Sequence, residues 1–177
     1  PRPVVAVQRL GHERGDLAGS VRRLLDDVLV AQHLVGRLDE PLAFLKGPNA
    51  LVGHRGLTRR PADASFMHYE CELAVLIGRS AKRVRPADAM PHAAGYTIAN
   101  DYAIRDYLEN WYRPNLRVKN RDGCTALGPW LVDAADVPDP HALGLRTFVN
   151  GELKQQGNTR DLIDDVPALI EYLSSFM

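Results

Sequence analysis

The stretch His68-Tyr-Glu70-Cys71-Glu72-Leu73-Ala-Val-Leu-Ile77-Gly78 decides the fold. Phe66 to Ile77 has the composition of a β-strand, and Gly78 closes it. Side chains two apart on a strand share a face, about 6–7 Å apart at Cα. Glu70 and Glu72 therefore converge, directly before an apolar run that belongs in a core. Like charges in that setting repel and are poorly solvated, so they need a cation. A strand face open to water suits the same pattern. Cys71 alternates with the acids, so it points away from them as a packed thiol.

Further strands and helices surround this one. Leu42 to Leu45 is a short strand broken by the turn residues Gly47-Pro48-Asn49, and Thr58 to Asp63 is a loop. Pro86 to Ala94 is a short helix with Pro at its start, closed by Gly95. A second strand, Gly95 to Ala99, ends at Asn100-Asp101, and Tyr102 to Tyr112 follows with Ile104, Leu108 and Trp111 on one helical stripe. Upstream, Leu17 to Leu38 places Leu17, Val21, Leu24, Leu25, Val28 and Leu29 at helical spacing, with Ser20 as a possible cap and Asp26-Asp27 on the wet side. Leu145 to Lys154 is a hairpin around Asn150-Gly151, the preferred type I′ pair. The last segment is a helix carrying Leu169, Ile170, Leu173 and Phe176, opened rather than interrupted by Pro167. The sum is an α+β chain with its strands concentrated in the middle.

At 177 residues, with 45% hydrophobic and 25% charged, the chain has the size and mixture of one globular domain. Its 22 cations balance 22 acids, which leaves no basic footprint for a nucleic-acid partner. No apolar run reaches the ~20 residues of a membrane span. The opening Pro1-Arg2-Pro3-Val4-Val5 lacks the features of a secretory signal. Two cysteines, Cys71 and Cys124, are too few for a disulfide scaffold, so a cytoplasmic protein with reduced thiols is expected. Only four of the cations are Lys (Lys46, Lys82, Lys119, Lys154), so each one is conspicuous.

Asp101 stands where a strand breaks, a place that suits a turn or helix-capping residue. With Glu70 and Glu72 it completes a set of three carboxylates, hard oxygen ligands suited to Mg²⁺, Mn²⁺ or Ca²⁺. Downstream come Arg105 and then Arg117, Lys119 and Arg121. If extended, the last three share a face that can grip a multiply charged anion; a solvated charged loop is the plainer alternative.

Tyr69 to Gly78, Ala94 to Asp106, Leu127-Gly-Pro-Trp130 and Val149 to Gly157 together resemble the fumarylacetoacetate hydrolase superfamily. Within it, Asn100 to Lys119 resembles the homoprotocatechuate-pathway isomerase/decarboxylases. The resemblance runs from about Pro41 to Met177 and implies an α+β mixed β-roll, here expected to lack the usual C-terminal strands. Residues 1–40 are expected to form an atypical N-terminal segment ahead of a catalytic domain at 41–177. By the same resemblance Glu70, Glu72 and Asp101 are metal ligands for Mg²⁺ or Mn²⁺. Lys119 and Arg105 are the catalytic pair, and Arg105, Lys119 and Arg117 bind substrate.

The implied chemistry is decarboxylation and double-bond isomerisation of an unsaturated 2-oxo di- or tricarboxylate in aromatic catabolism, through a metal-stabilised enolate. The implied partners are that small molecule and a second copy of the chain, in a homodimer or larger homo-oligomer. The family's usual His-x-x-Glu segment ahead of the Phe-x-Lys strand has no counterpart here; Phe44-Leu-Lys46 is present, but only His12-Glu13 and His33 lie upstream. Two further readings stand beside the first: hydrolysis of an acylpyruvate such as fumarylpyruvate, and a metal-binding partner domain without activity.

Overall fold

The apolar run after Glu72 does not alternate with polar residues because both of its faces are covered. Leu73 to Ile77 are all buried in the computed structural model. The structure describes residues 5–9, 28–32, 41–107 and 116–177. Through them run β1 (Val5–Arg9), β2 (Val28–Gln32), β3 (Leu42–Lys46), β4 (Leu51–Gly53), β5 (Met67–His68) and β6 (Cys71–Ile77). There follow α1 (Pro86–Ala89), β7 (Ala93–Asp101), β8 (Ala103–Ile104), α2 (Leu116–Lys119) and β9 (Thr125–Asp133). The hairpin strands β10 (Gly144–Val149) and β11 (Glu152–Asn158) precede α3 (Val166–Phe176).

Among the described residues, seven strands form one mixed sheet in the order β3-β2-β1-β6-β7-β9-β4. The pairs β1–β6 and β4–β9 are parallel and the others antiparallel. The two edge strands, β3 and β4, are consecutive in the chain, joined only by Gly47 to Ala50. Laid flat, the sheet measures about 29 Å between its outermost strands. The residues from Lys46 to Leu51 reach at most about 18 Å. The sheet must therefore curl until its edges approach. Inside the curl Phe44 of β3 meets Ala74 of β6 and Ala99 of β7, three strands and more away in pairing order.

The outer face of β6 carries the larger core. Leu73, Val75 and Ile77 pack with Tyr96 against Val166, Leu169, Ile170 and Leu173 of α3. Asp165 caps that helix by accepting a hydrogen bond from Ala168 N, and Pro167 sits in the first turn, where its missing N–H removes no helical bond. Asn150 and Gly151 take φ of 53° and 82°, the left-handed pair of a type I′ turn between β10 and β11.

Four expectations need correction. Val28 to Gln32, inside the expected helix from Leu17 to Leu38, is a strand, because β1 and β3 hydrogen-bond to both of its edges. The rest of that segment lies outside the described residues, as do His12, Glu13 and His33. The strand from Phe66 to Ile77 is interrupted at Tyr69-Glu70, which frees β5 to pair with β8. The segment after Tyr102 consequently begins as strand and a 3-10 turn rather than a helix; Leu108 to Tyr112 lie outside the described residues. Gly95 lies within β7 and closes no helix: a Cβ there would sit 2.4 Å from Val132 O of β9. No helix of the described residues is long and apolar enough to cross a membrane.

Candidate metal centre

Strand parity puts Glu72, Ala74 and Leu76 of β6 on one side of the chain, the side that faces into the curl, and Glu70, just ahead of the strand, joins them there. Cys71 is on the other side, with its thiol donating to Arg146 O of β10 at 3.6 Å and pushed up in pKa by burial. Asp101 ends β7, one ladder step past the pairing of Cys71 with Asn100, and its N–H bonds Glu70 O at 2.9 Å. The Asn100 side chain accepts from Glu70 N at 3.1 Å and fixes the residue just ahead of β6. The outcome is three carboxylates offering oxygens within 4.8 Å of one another.

Burial separates the three. Glu72 and Asp101 are fully buried, and the Glu70 side chain is 13% exposed. Neither carboxylate oxygen of Glu72 has a hydrogen-bond partner. Burial first, and then the neighbouring Asp101, push the Glu72 carboxyl well above the ordinary glutamate value. An orphaned, buried carboxylate beside two others is a donor set that fits a divalent cation: all oxygen, all hard, and converging on one point.

Cations from two other elements close the cluster. Lys119 of α2 contacts Glu70 Oε2 and lies 2.9 Å from Asp101 Oδ2. Burial opposes its charge, but Asp101, Glu70 and Glu72 together outweigh that and raise the ammonium above its usual value. Lys46 of β3, also fully buried, pairs with Asp101 Oδ1. Asn120, next to Lys119 in the chain, braces Lys46: its Nδ2 donates to Leu45 O at 2.7 Å and its Oδ1 accepts from Gly47 N at 2.6 Å, on either side of that lysine. Arg105 is at the rim, 28% exposed, with Nη2 3.8 Å from Glu70 Oε1.

The structure thus gathers Glu70, Glu72, Asp101, Lys119 and Arg105, and does not gather Arg117. Leu116 to Lys119 is a helical turn rather than an extended run. Residues two apart on a helix point in nearly opposite directions, so Lys119 turns inward. Arg117 and Arg121, four apart, both lie over the Tyr107 ring, at 4.0 and 5.6 Å. Lys46 is the member that sequence reasoning missed. Its signals were the scarcity of Lys and its parity with Phe44, which points into the curl.

Comparison with known proteins gives a consistent picture. The sequence profile described as fumarylacetoacetate (FAA) hydrolase C-terminal matches residues 20–177. The 4-hydroxyphenylacetate degradation bifunctional isomerase/decarboxylase of Salmonella dublin is 61% identical over 138 residues, which cover 78% of this chain and 32% of that protein. Oxaloacetate tautomerase YisK of Bacillus subtilis is 39% identical, over 78% of this chain and 46% of that protein. Among solved structures, a 2-hydroxyhepta-2,4-diene-1,7-dioate isomerase from Mycobacterium marinum superposes with a TM-score of 0.73 at 34% identity. That likeness covers 99% of this chain and 59% of the isomerase. The chain spans about a third of the length of the bifunctional relatives it matches.

Proposed function

The chain belongs to the fumarylacetoacetate hydrolase family, and from that premise we propose that it is a divalent-metal-dependent isomerase/decarboxylase acting on an unsaturated 2-oxo di- or tricarboxylate of aromatic catabolism. The observation that carries this is the convergence of Glu70, Glu72 and Asp101 on one point, with Lys119 beside it and Arg105 at its open rim. Kinship with the bifunctional isomerase/decarboxylases sets the reaction class.

Glu70, Glu72 and Asp101 would hold the cation, for which Mg²⁺ or Mn²⁺ suits an all-carboxylate set. Bound there, it supplies Lewis acidity toward the carboxylate and keto oxygens of a 2-oxo acid. The protein's own cations do the rest. Lys46, Lys119 and Arg105 match the three carboxylates in charge, so a loaded site is net positive and draws in a polyanion. Lys119 Nζ, 2.9 Å from Asp101 Oδ2, donates toward oxygen that gains negative charge as CO₂ leaves. Moving a double bond builds charge on the same atoms, so one arrangement serves both reactions. Arg105, reachable from solvent, receives a carboxylate of the substrate. Lys46 touches only Asp101 among the acids and acts by holding it.

The test is turnover of a conjugated 2-oxo dicarboxylate with Mg²⁺ or Mn²⁺, following chromophore loss and CO₂ release. Release that EDTA abolishes and Mn²⁺ restores is the expected result. Cleavage to pyruvate would assign a hydrolase instead, and metal binding without turnover of any substrate would leave a silent domain.

A further inference from the structure

We propose that His68 is the positioning residue of Arg105: it fixes the guanidinium so that its terminal nitrogens face an incoming carboxylate. This rests on the assignment of Arg105 as the substrate's anion receptor. Arg105 Nε donates to His68 Nδ1 at 2.7 Å. An Nδ1 that accepts is bare, so the imidazole is neutral with its proton on Nε2.

The backbone holds this pair in register. His68 sits opposite Ala103 in the β5–β8 ribbon, and Arg105 N bonds Phe66 O at 2.8 Å. The Phe66 ring meets His68 edge-on at 4.7 Å and limits the imidazole's rotation. The alternative anchor for Arg105, Glu70 Oε1, is 3.8 Å from Nη2, beyond hydrogen-bond range. The bond from Nε therefore sets the rotation of the guanidinium. It also occupies the side edge, so an anion must dock end-on, at Nη1 and Nη2. A guanidinium already fixed in place loses less freedom when it binds. Without His68, Arg105 is free to close on Glu70 and compete with both the cation and the substrate.

The probe is 2-oxoglutarate, titrated calorimetrically into the Mn²⁺-loaded chain. His68→Ala is expected to weaken its binding by about 5- to 10-fold, the cost of immobilising on binding a side chain that the bond had held in place. His68→Asn, whose amide oxygen takes the place of Nδ1, restores most of it. In an Arg105→Ala background, His68→Ala has less than about a twofold further effect. The same penalty in both backgrounds, a His68→Asn variant as weak as the alanine, or no loss in His68→Ala would overturn the proposal, as would a wild-type chain that does not bind the probe. ¹⁵N spectra should show the His68 proton on Nε2, and a proton on Nδ1 overturns it independently. Wild-type binding with this coupling but no turnover of any 2-oxo acid would sink the enzymatic assignment and leave the role of His68 standing.

Discussion

The segment from Leu116 to Arg121, α2 and the two residues after it, sends side chains into two charged clusters, similar in composition and different in nearly everything else. Lys119 enters the carboxylates Glu70, Glu72 and Asp101, buried and closed off by Lys46. Arg117 and Arg121 instead stack on Tyr107, while Asp63, half exposed, accepts from Arg121 Nη2 at 2.5 Å and from Tyr107 Oη at 2.8 Å. The carboxyl pKa values diverge accordingly. Glu72, buried without a donor, is pushed up, and Asp63, held by Arg121 and then Tyr107, is pulled down. Opposite charges near one another do not define a site. A site appears where burial leaves one of them unsatisfied.

The contrast is broken most forcefully at Lys46. Lys46→Met removes one partner of a fully buried ion pair, which costs about 3 kcal/mol or more by urea unfolding, softened because Lys119 still faces Asp101. A change no larger than that of a surface pair would mean that water reaches the cluster. Glu72→Leu acts in the opposite direction. In EDTA it should stabilise the fold by about 1–3 kcal/mol, since it removes an unpaired buried carboxylate. It should also abolish the stabilisation expected of the wild type with Mn²⁺, about 2.7 kcal/mol at a hundredfold excess over the dissociation constant.

The sign with pH follows. Glu72 has a folded pKa above its ordinary value of 4.5, so its penalty is absent below that value and grows as pH rises through the folded one. The advantage of Glu72→Leu in EDTA should therefore be larger at pH 8 than at pH 4.5. An advantage that shrinks as pH rises would contradict the burial argument.

The acidic half of this contrast was legible from local spacing. Glu70 and Glu72 share a face by the two-residue period of a strand; Asp101, at a strand end, suited a turn equally and was joined to them by the family resemblance, and the ladder of β6 and β7 is what brings them together. Lys46 was not legible, because β3 reaches β7 only through the curl of a sheet in which the two strands are not neighbours. Arg117 was misplaced for a different reason: a short run of alternating cations fits the period of a strand and that of a helical turn, and tertiary packing chose the turn. The same competition overrode helical spacing at Val28 to Gln32, where two flanking strands supplied backbone partners. The fold class and the hairpin at Asn150-Gly151 survived because turn chemistry and apolar runs are local.

The exposed cluster should respond weakly. Arg117→Ala loses an exposed contact with the Tyr107 ring and should change stability by less than about 1 kcal/mol, with metal binding intact. A loss of Mn²⁺ affinity in that variant would tie the two clusters together and return Arg117 to the site.

The smallest effect is a titration. Arg121, and after it Tyr107, hold the Asp63 carboxyl below its ordinary value of 3.8. What the pair contributes is therefore present above that value and disappears as pH falls through the lower folded one. In Arg121→Ala, ¹³C carboxyl shifts should show Asp63 titrating closer to 3.8. Added salt should move the wild-type value the same way, since exposed pairs are screened. Mn²⁺ should leave it unchanged, because Asp63 is held by Arg121 and Tyr107, apart from the acids proposed to hold the cation. An Asp63 titration that shifts on Mn²⁺ loading would show that α2 transmits charge from one cluster to the other, and the division drawn between them would fail.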